Sequence, residues 1–145
     1  QSREERWETA KATERASKGA QSAMDGVALA LPALMRAEKI QKRAVRQGFD
    51  WPDVRGATEK LIEEIQELEA ATSEAERIDE AGDLLFAVVN VVRKYGVAPE
   101  DALRTANAKF ERRFRGMEEL AAGRFAALSL DEQEALWQAV KRSER

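Results

Sequence analysis

The chain contains no cysteine and no histidine among its 145 residues. Without cysteine there are no disulfides, no thiolate metal sites and no cysteine nucleophile. Without histidine there is no Ser-His-Asp triad, no imidazole general base and no imidazole metal ligand. Any metal must therefore be held by oxygen, which favours hard cations such as Mg²⁺, Mn²⁺ or Ca²⁺. No apolar run approaches the roughly 20 residues needed to span a bilayer, and the opening residues form no signal-peptide pattern. A cytoplasmic setting and no membrane partner are expected. An excess of positive charge is missing too: 24 basic residues face 27 acidic ones, a net charge of −3. That balance argues against a nucleic-acid partner, which calls for a strongly basic face.

What is present is helix-forming. Hydrophobic residues make up 43% and charged residues 35% of the chain, and no segment reads as a strand or an internal repeat. Residues 1–30 are polar apart from Trp7 and read as a frayed helix or connector. The opening Gln1 in place of Met leads us to expect a piece of a longer chain, with the main domain over 31–145. Pro32 opens a helix to about Gln47. The stretch GFDWPDVRG (48–56) is a loop by its Gly and Pro punctuation, with Phe49 and Trp51 expected to pack beneath it as a plug. Further helices are predicted over 57–71, from the Ser73/Glu76 capping box to about Tyr95 with Gly96 as its stop, from Pro99 onward, and after the Ser129/Glu132 capping box.

The helix beginning ERIDEAGDLLFAVVNVV (76–92) is nearly pure hydrocarbon in its second half, yet acids crowd its first two turns. On a wheel of about 100° per residue, Leu84 to Phe86, Val88, Val89, Val91 and Val92 cover most of the circumference. The polar remainder is a narrow strip of Glu76, Asp79, Asp83 and Asn90, with Glu80 at its edge. The preceding helix, EKLIEEIQELEA, carries Leu61, Ile65 and Leu68 as an apolar stripe, with Glu64 bordering it and Glu67 one step round. Glu64 and Glu67 are three residues apart, as are Glu80 and Asp83, so each pair shares one helix face. Two such pairs on consecutive antiparallel helices converge four carboxylates, an arrangement that makes sense only around a divalent cation. For the EIQELEA acids alone, an exposed helix face is the better account, whereas for Glu80 and Asp83 at the head of an apolar helix the functional reading is the better one. Di-iron carboxylate bundles need Glu-x-x-His, and histidine is absent. In the following helix, Lys109 and Arg113 flank the Leu103–Phe110–Phe114 stripe, while Arg112 and Arg115 point outward. That Lys/Arg pair suits either a clamp on phosphate oxygens or salt bridges to nearby acids.

The ordered set of Glu63, Glu64 and Glu67 (EExxE) followed by Glu80 and Asp83 (ExxD) resembles the MazG-type all-α nucleoside triphosphate pyrophosphohydrolases. LPALMRAEKIQKRA, GFDWPDV, EAGDLLFAVVNVVR, ANAKFERRFR and LSLDEQEALWQAVK extend the likeness over about 30–142, and WETAKATERASKG resembles the family's inter-domain connector. The resemblance implies an all-α bundle of antiparallel helices completed by dimerisation. It also implies Mg²⁺-dependent hydrolysis of nucleoside triphosphates, ATP included, to monophosphate and pyrophosphate, with Mn²⁺ as a substitute ion. By motif match, Glu64, Glu67, Glu80 and Asp83 hold the metal. Lys60, Glu63, Arg77 and Asp79 line the nucleotide site, Lys109 and Arg113 contact the triphosphate, and Trp137 contacts the nucleotide. Glu63 is the carboxylate assigned to the attacking water. Trp137 also suits a core position between Leu136 and Val140. The other functional reading is a non-catalytic helical module that dimerises or binds nucleotide. The base preferred is not readable from these motifs.

Overall fold

The structure, a computed structural model, describes residues 2–17, 19, 21–50 and 53–144, with the backbone alone for 15–17. Among these residues it is all α-helix, with no strand: α1 (Arg3–Ser17), α2 (Ala33–Arg46), α3 (Val54–Ala70), α4 (Glu74–Lys94), α5 (Pro99–Ala121) and α6 (Leu130–Ser143), plus a 3₁₀ turn at Phe125–Ala127. None of these helices is long and apolar enough to cross a membrane. The chain forms two compact units, residues 1–100 and 101–145.

Local chemistry sets the helix ends. Pro32 is the N-cap of α2 rather than its first helical residue. Gly48 and Gly96 follow the C-caps of α2 and α4 with φ of 89° and 75°, the left-handed conformation in which a Cβ is costly. At both places the next two amides fold back on the last turn, Gly48 to Val45 and Phe49 to Ala44, Gly96 to Arg93 and Val97 to Val92, the Schellman pattern. Helix α3 begins three residues earlier than expected because Asp53 caps it, accepting from the Gly56 amide at 2.9 Å. Ser129 and Glu132 form the expected reciprocal capping box. At α4 the box is only half present. Ser73 accepts from the Glu76 amide, but the Glu76 carboxylate reaches one residue further back, accepting from the amide and hydroxyl of Thr72 at 2.9 and 3.2 Å.

In the first unit α3 and α4 pack along each other and α2 packs on α4. The link between α3 and α4 is three residues long, which enforces an antiparallel pair. Within the N-terminal stretch, α1 runs fifteen residues and meets α2 through Glu4–Lys42 and Glu8–Arg46 ion pairs at 3.7 and 3.4 Å. The buried part of α4 is Ala87, Val89 and Asn90, whereas Leu85, Phe86 and Val88 remain exposed. Phe49 is 75% exposed, so it is no plug: its amide closes the turn on Ala44 while its ring stays in solvent. Trp51 lies outside the described residues.

Asn90 leaves the polar strip assigned to it and joins a buried network. Gln41 of α2 donates to the Phe86 carbonyl at 2.9 Å and accepts from Arg93 Nε at 3.3 Å. Arg93 also donates to Asn90 and to Asp50, and Lys94 closes on Asp50 at 2.6 Å. Burial pushes the Asp50 carboxyl up, but the hydrogen bonds from Lys94 and Arg93 outweigh it and hold the group below its usual value. Asn90→Ala is expected to cost about 1–3 kcal/mol in urea unfolding, because Arg93 loses a buried acceptor. A loss under about 0.5 kcal/mol means Arg93 re-pairs without cost.

The second unit is held by aromatics. Phe110, Phe114 and Phe125 form a chain of ring contacts at 6.0 and 4.9 Å, and Trp137 joins Phe110 at 5.9 Å. Met117, Ala121 and Val140 are buried beside them. Gly116 allows α6 to approach closely: a Cβ there would stand 3.3 Å from Val140.

Candidate functional site

Glu64, Glu67 and Glu80 bring carboxylate oxygens within 4.8 Å of one another across the α3–α4 pair, and Asp79, Glu80 and Asp83 do the same along α4. Glu80 belongs to both triples. Each of the four acids assigned to the metal thus falls in one triple or the other, but Asp83 is grouped with Glu80 and not with Glu64 or Glu67, and Asp79, which motif matching put beside the nucleotide, joins Asp83 in the triple along α4.

Glu64 is the anomaly of α3. It is 3% exposed while Ile65, its apolar neighbour on the expected stripe, is 40% exposed. A buried carboxylate needs a cation and a full set of donors, or its desolvation costs several kcal/mol. Lys60, one helical turn back, reaches Glu64 Oε1 at 2.7 Å and Glu63 at 3.6 Å. With the acids ionised, Glu64 Oε2 and Glu80 Oε2 are sealed from water and meet no donor. Glu67 approaches Glu80 closely enough to share a proton with it, and the negative charge of Glu64 adds to the effect. Together they push the Glu67 carboxyl up to about 7. That side chain is exposed, so the main cause is proton sharing and crowding of like charge.

These features fit a divalent cation. Each triple offers three hard oxygens within one ion's reach, and in the triple across the two helices one oxygen each of Glu64 and Glu80 is buried without a donor, a demand that Mg²⁺ or Mn²⁺ coordination would satisfy. The donor set has no nitrogen or sulfur, so softer ions gain nothing from it.

The other sequence-derived residues divide as follows. Glu63 stays at the rim beside Lys60, with its side chain 57% exposed. Arg77 is exposed on the first turn of α4 and stands outside both acidic triples. In the second unit, Arg113 and Trp137 are brought together, the guanidinium lying 5.3 Å from the indole centroid, a cation–π contact. Trp137 is half-buried, neither a sealed core residue nor a free stacking platform. Arg112 and Arg115 point outward, with side chains 64% and 72% exposed, and Arg115 pairs with Glu111 at 2.8 Å. Arg113 is gripped by Glu144, an acid that sequence reasoning missed. The two are 31 residues apart, and no local spacing rule connects them.

Residues 28–110 match the family described as phosphoribosyl-ATP pyrophosphohydrolase. Over 96% of its length the chain is 46% identical to the nucleoside triphosphate pyrophosphohydrolase of Escherichia coli K12, covering 56% of that protein. It is also 46% identical to the nucleoside triphosphate pyrophosphohydrolase/pyrophosphatase MazG of Thermotoga maritima, over 79% of this chain and 44% of that one. A Bacillus subtilis protein, uncharacterized protein YabN, is 42% identical over 96% of this chain and 30% of its own length. The chain thus spans about half the length, or less, of the curated relatives it matches. The helical architecture, the acidic cluster between α3 and α4 and these likenesses agree, and the chain belongs to the phosphoribosyl-ATP pyrophosphohydrolase family, where it resembles the MazG-type nucleoside triphosphate pyrophosphohydrolases.

Proposed function

We propose that the chain hydrolyses nucleoside triphosphates to nucleoside monophosphates and pyrophosphate, with Mg²⁺ held by Glu64, Glu67, Glu80 and Asp83. The observation that carries the reading is the pair of buried, donor-less oxygens on Glu64 and Glu80 inside a cluster of acids. A bound divalent ion supplies positive charge against the phosphates. Glu63, exposed and outside the metal set, orients a water for attack on the α-phosphorus and takes its proton. The bond from that phosphorus to the bridging oxygen breaks, and pyrophosphate leaves with its new charge stabilised by Lys109 and Arg113. Lys60, Arg77 and Asp79 lie along the nucleotide, and Trp137 contacts it.

We also propose a homodimer. Ile62, Ile65, Ile78 and Leu85 of α3 and α4 are between 40% and 68% exposed, and a helix pair with apolar side chains outside as well as inside needs a further partner. Residues 1–30 are proposed as a connector ahead of the pyrophosphohydrolase domain, and nucleotide-pool control as the cellular role.

A panel of nucleoside triphosphates and phosphoribosyl-ATP, assayed with Mg²⁺ and resolved by product, tests the activity. Monophosphate plus pyrophosphate from the triphosphates is expected. Turnover of phosphoribosyl-ATP alone would move the substrate to the one in the family's description. Binding without turnover of any of them would leave a non-catalytic module.

A further inference from the structure

Glu144, at the C-cap of α6, lies where cations of α5 meet. Arg113 Nε stands 3.3 and 3.0 Å from its two oxygens, and the Arg113 terminal nitrogen is 2.9 Å from Oε2. Arg112 Nε lies 3.9 Å from Oε1, and the charge of Lys109 also acts on the same carboxylate. The Arg113 hydrogen bonds, with the charges of Arg113, Arg112 and Lys109, outweigh burial and hold the Glu144 carboxyl below its usual value. Arg113 itself is only 17% exposed, with its guanidinium over Trp137.

A planar anion seated in an arginine fork with further cations beside it is the geometry by which proteins bind phosphate oxygens. Glu144 is thus an internal anion of the same charge sign and donor demand as the ligand assigned to Lys109 and Arg113. The contrast with Glu111 is instructive. That acid pairs with Arg115 on a solvated face, both side chains about two-thirds exposed or more.

We propose that Glu144 is an intramolecular competitor for polyphosphate: Arg113 alternates between the Glu144 carboxylate and the phosphates, and this exchange sets how tightly triphosphate and pyrophosphate are held. The inference rests on the reading of Lys109 and Arg113 as phosphate contacts. Each binding event breaks the internal pair, so apparent affinity falls by the fraction of time Arg113 is free. A partly exposed ion pair is weak, which puts the penalty at about two- to fivefold. The same exchange speeds product release, because Glu144 recaptures Arg113 as pyrophosphate departs.

The test uses the full chain with Mg²⁺ and compares Glu144→Gln and Glu144→Ala with the parent. KM for the triphosphate and the inhibition constant of added inorganic pyrophosphate are both expected to fall about two- to fivefold, with kcat changing less. The gain should shrink as ionic strength rises. A rise in KM in both variants would mean that Glu144 positions Arg113 instead of competing with phosphate, and no change in either constant would mean it does neither. Each result overturns the proposal. Arg113→Gln, assayed in parallel, separates the two levels: an unchanged KM there removes the phosphate role of Arg113 itself. A weakened Arg113→Gln beside unaltered Glu144 variants removes only the competition.

Discussion

Glu64→Gln is expected to abolish Mg²⁺-dependent pyrophosphate release, by on the order of a hundredfold or more, while leaving the helical CD spectrum intact. Replacing even an outer-shell partner of a metal ligand costs about 10–100-fold, and Glu64 is proposed as a ligand itself. It is the most buried acid of the cluster, at 3% exposure, and one of its oxygens has no other use. The substitution keeps the shape and removes the charge. It does not unfold the metal-free protein, since an amide donates to neighbouring carboxylates where a carboxylate only repels them. The metal-free melting temperature is therefore held or raised while activity disappears. Full pyrophosphate release by this variant would remove the cluster from the reaction. Asp83→Asn asks the same of the α4 triple, and a loss in one variant but not the other would say which triple holds the essential ion.

Metal binding is expected to strengthen steeply with pH, by about tenfold per unit below pH 7 where one proton is displaced. The proton in question is the one that Glu67 shares with Glu80, its carboxyl standing near 7 against an ordinary 4.5. Between about 4.5 and 7 the folded chain holds this proton while the unfolded chain has released it. Stability of the metal-free protein at this group is thus complete below 4.5 and falls as pH rises toward 7. A divalent cation reverses that loss by supplying the charge the proton had provided. Thermal unfolding in chelator should show the midpoint dropping through this window, and the upshift on adding Mg²⁺ should be larger at pH 8 than at pH 5.5. Glu67→Gln should flatten both trends. An Mg²⁺ shift of equal size across pH 5.5–8 would rule out a shared proton at the site.

The helices were legible because their signals are local. Period, caps and stops act within about four residues, so Ser129 with Glu132, Gly96 and Pro99 marked boundaries correctly. The start of α3 was missed for an equally local reason. Gly56 looks like loop punctuation, yet at the third helical position it serves as the donor that Asp53 caps. The half-formed box at Ser73 and Glu76 shows the limit of such rules, since a glutamate can reach Thr72 as easily as Ser73.

The sequence by itself determined the chemistry available: no imidazole, no thiol, an all-helical chain, and carboxylates at three-residue spacing on consecutive helices. Which of those groups meet was decided by tertiary structure. On α3 a wheel marks one apolar stripe, yet docking against α4 buries Glu64 and leaves Ile65 exposed against that pattern. The same packing sent Asn90 into the Gln41–Arg93 network, drew Asp79 into the acidic cluster and set Glu144 in the fork of Arg113. A helix fixes angles among its own side chains. Distances between helices, which govern whether an acid faces a metal, a proton or an arginine, depend on how the helices dock.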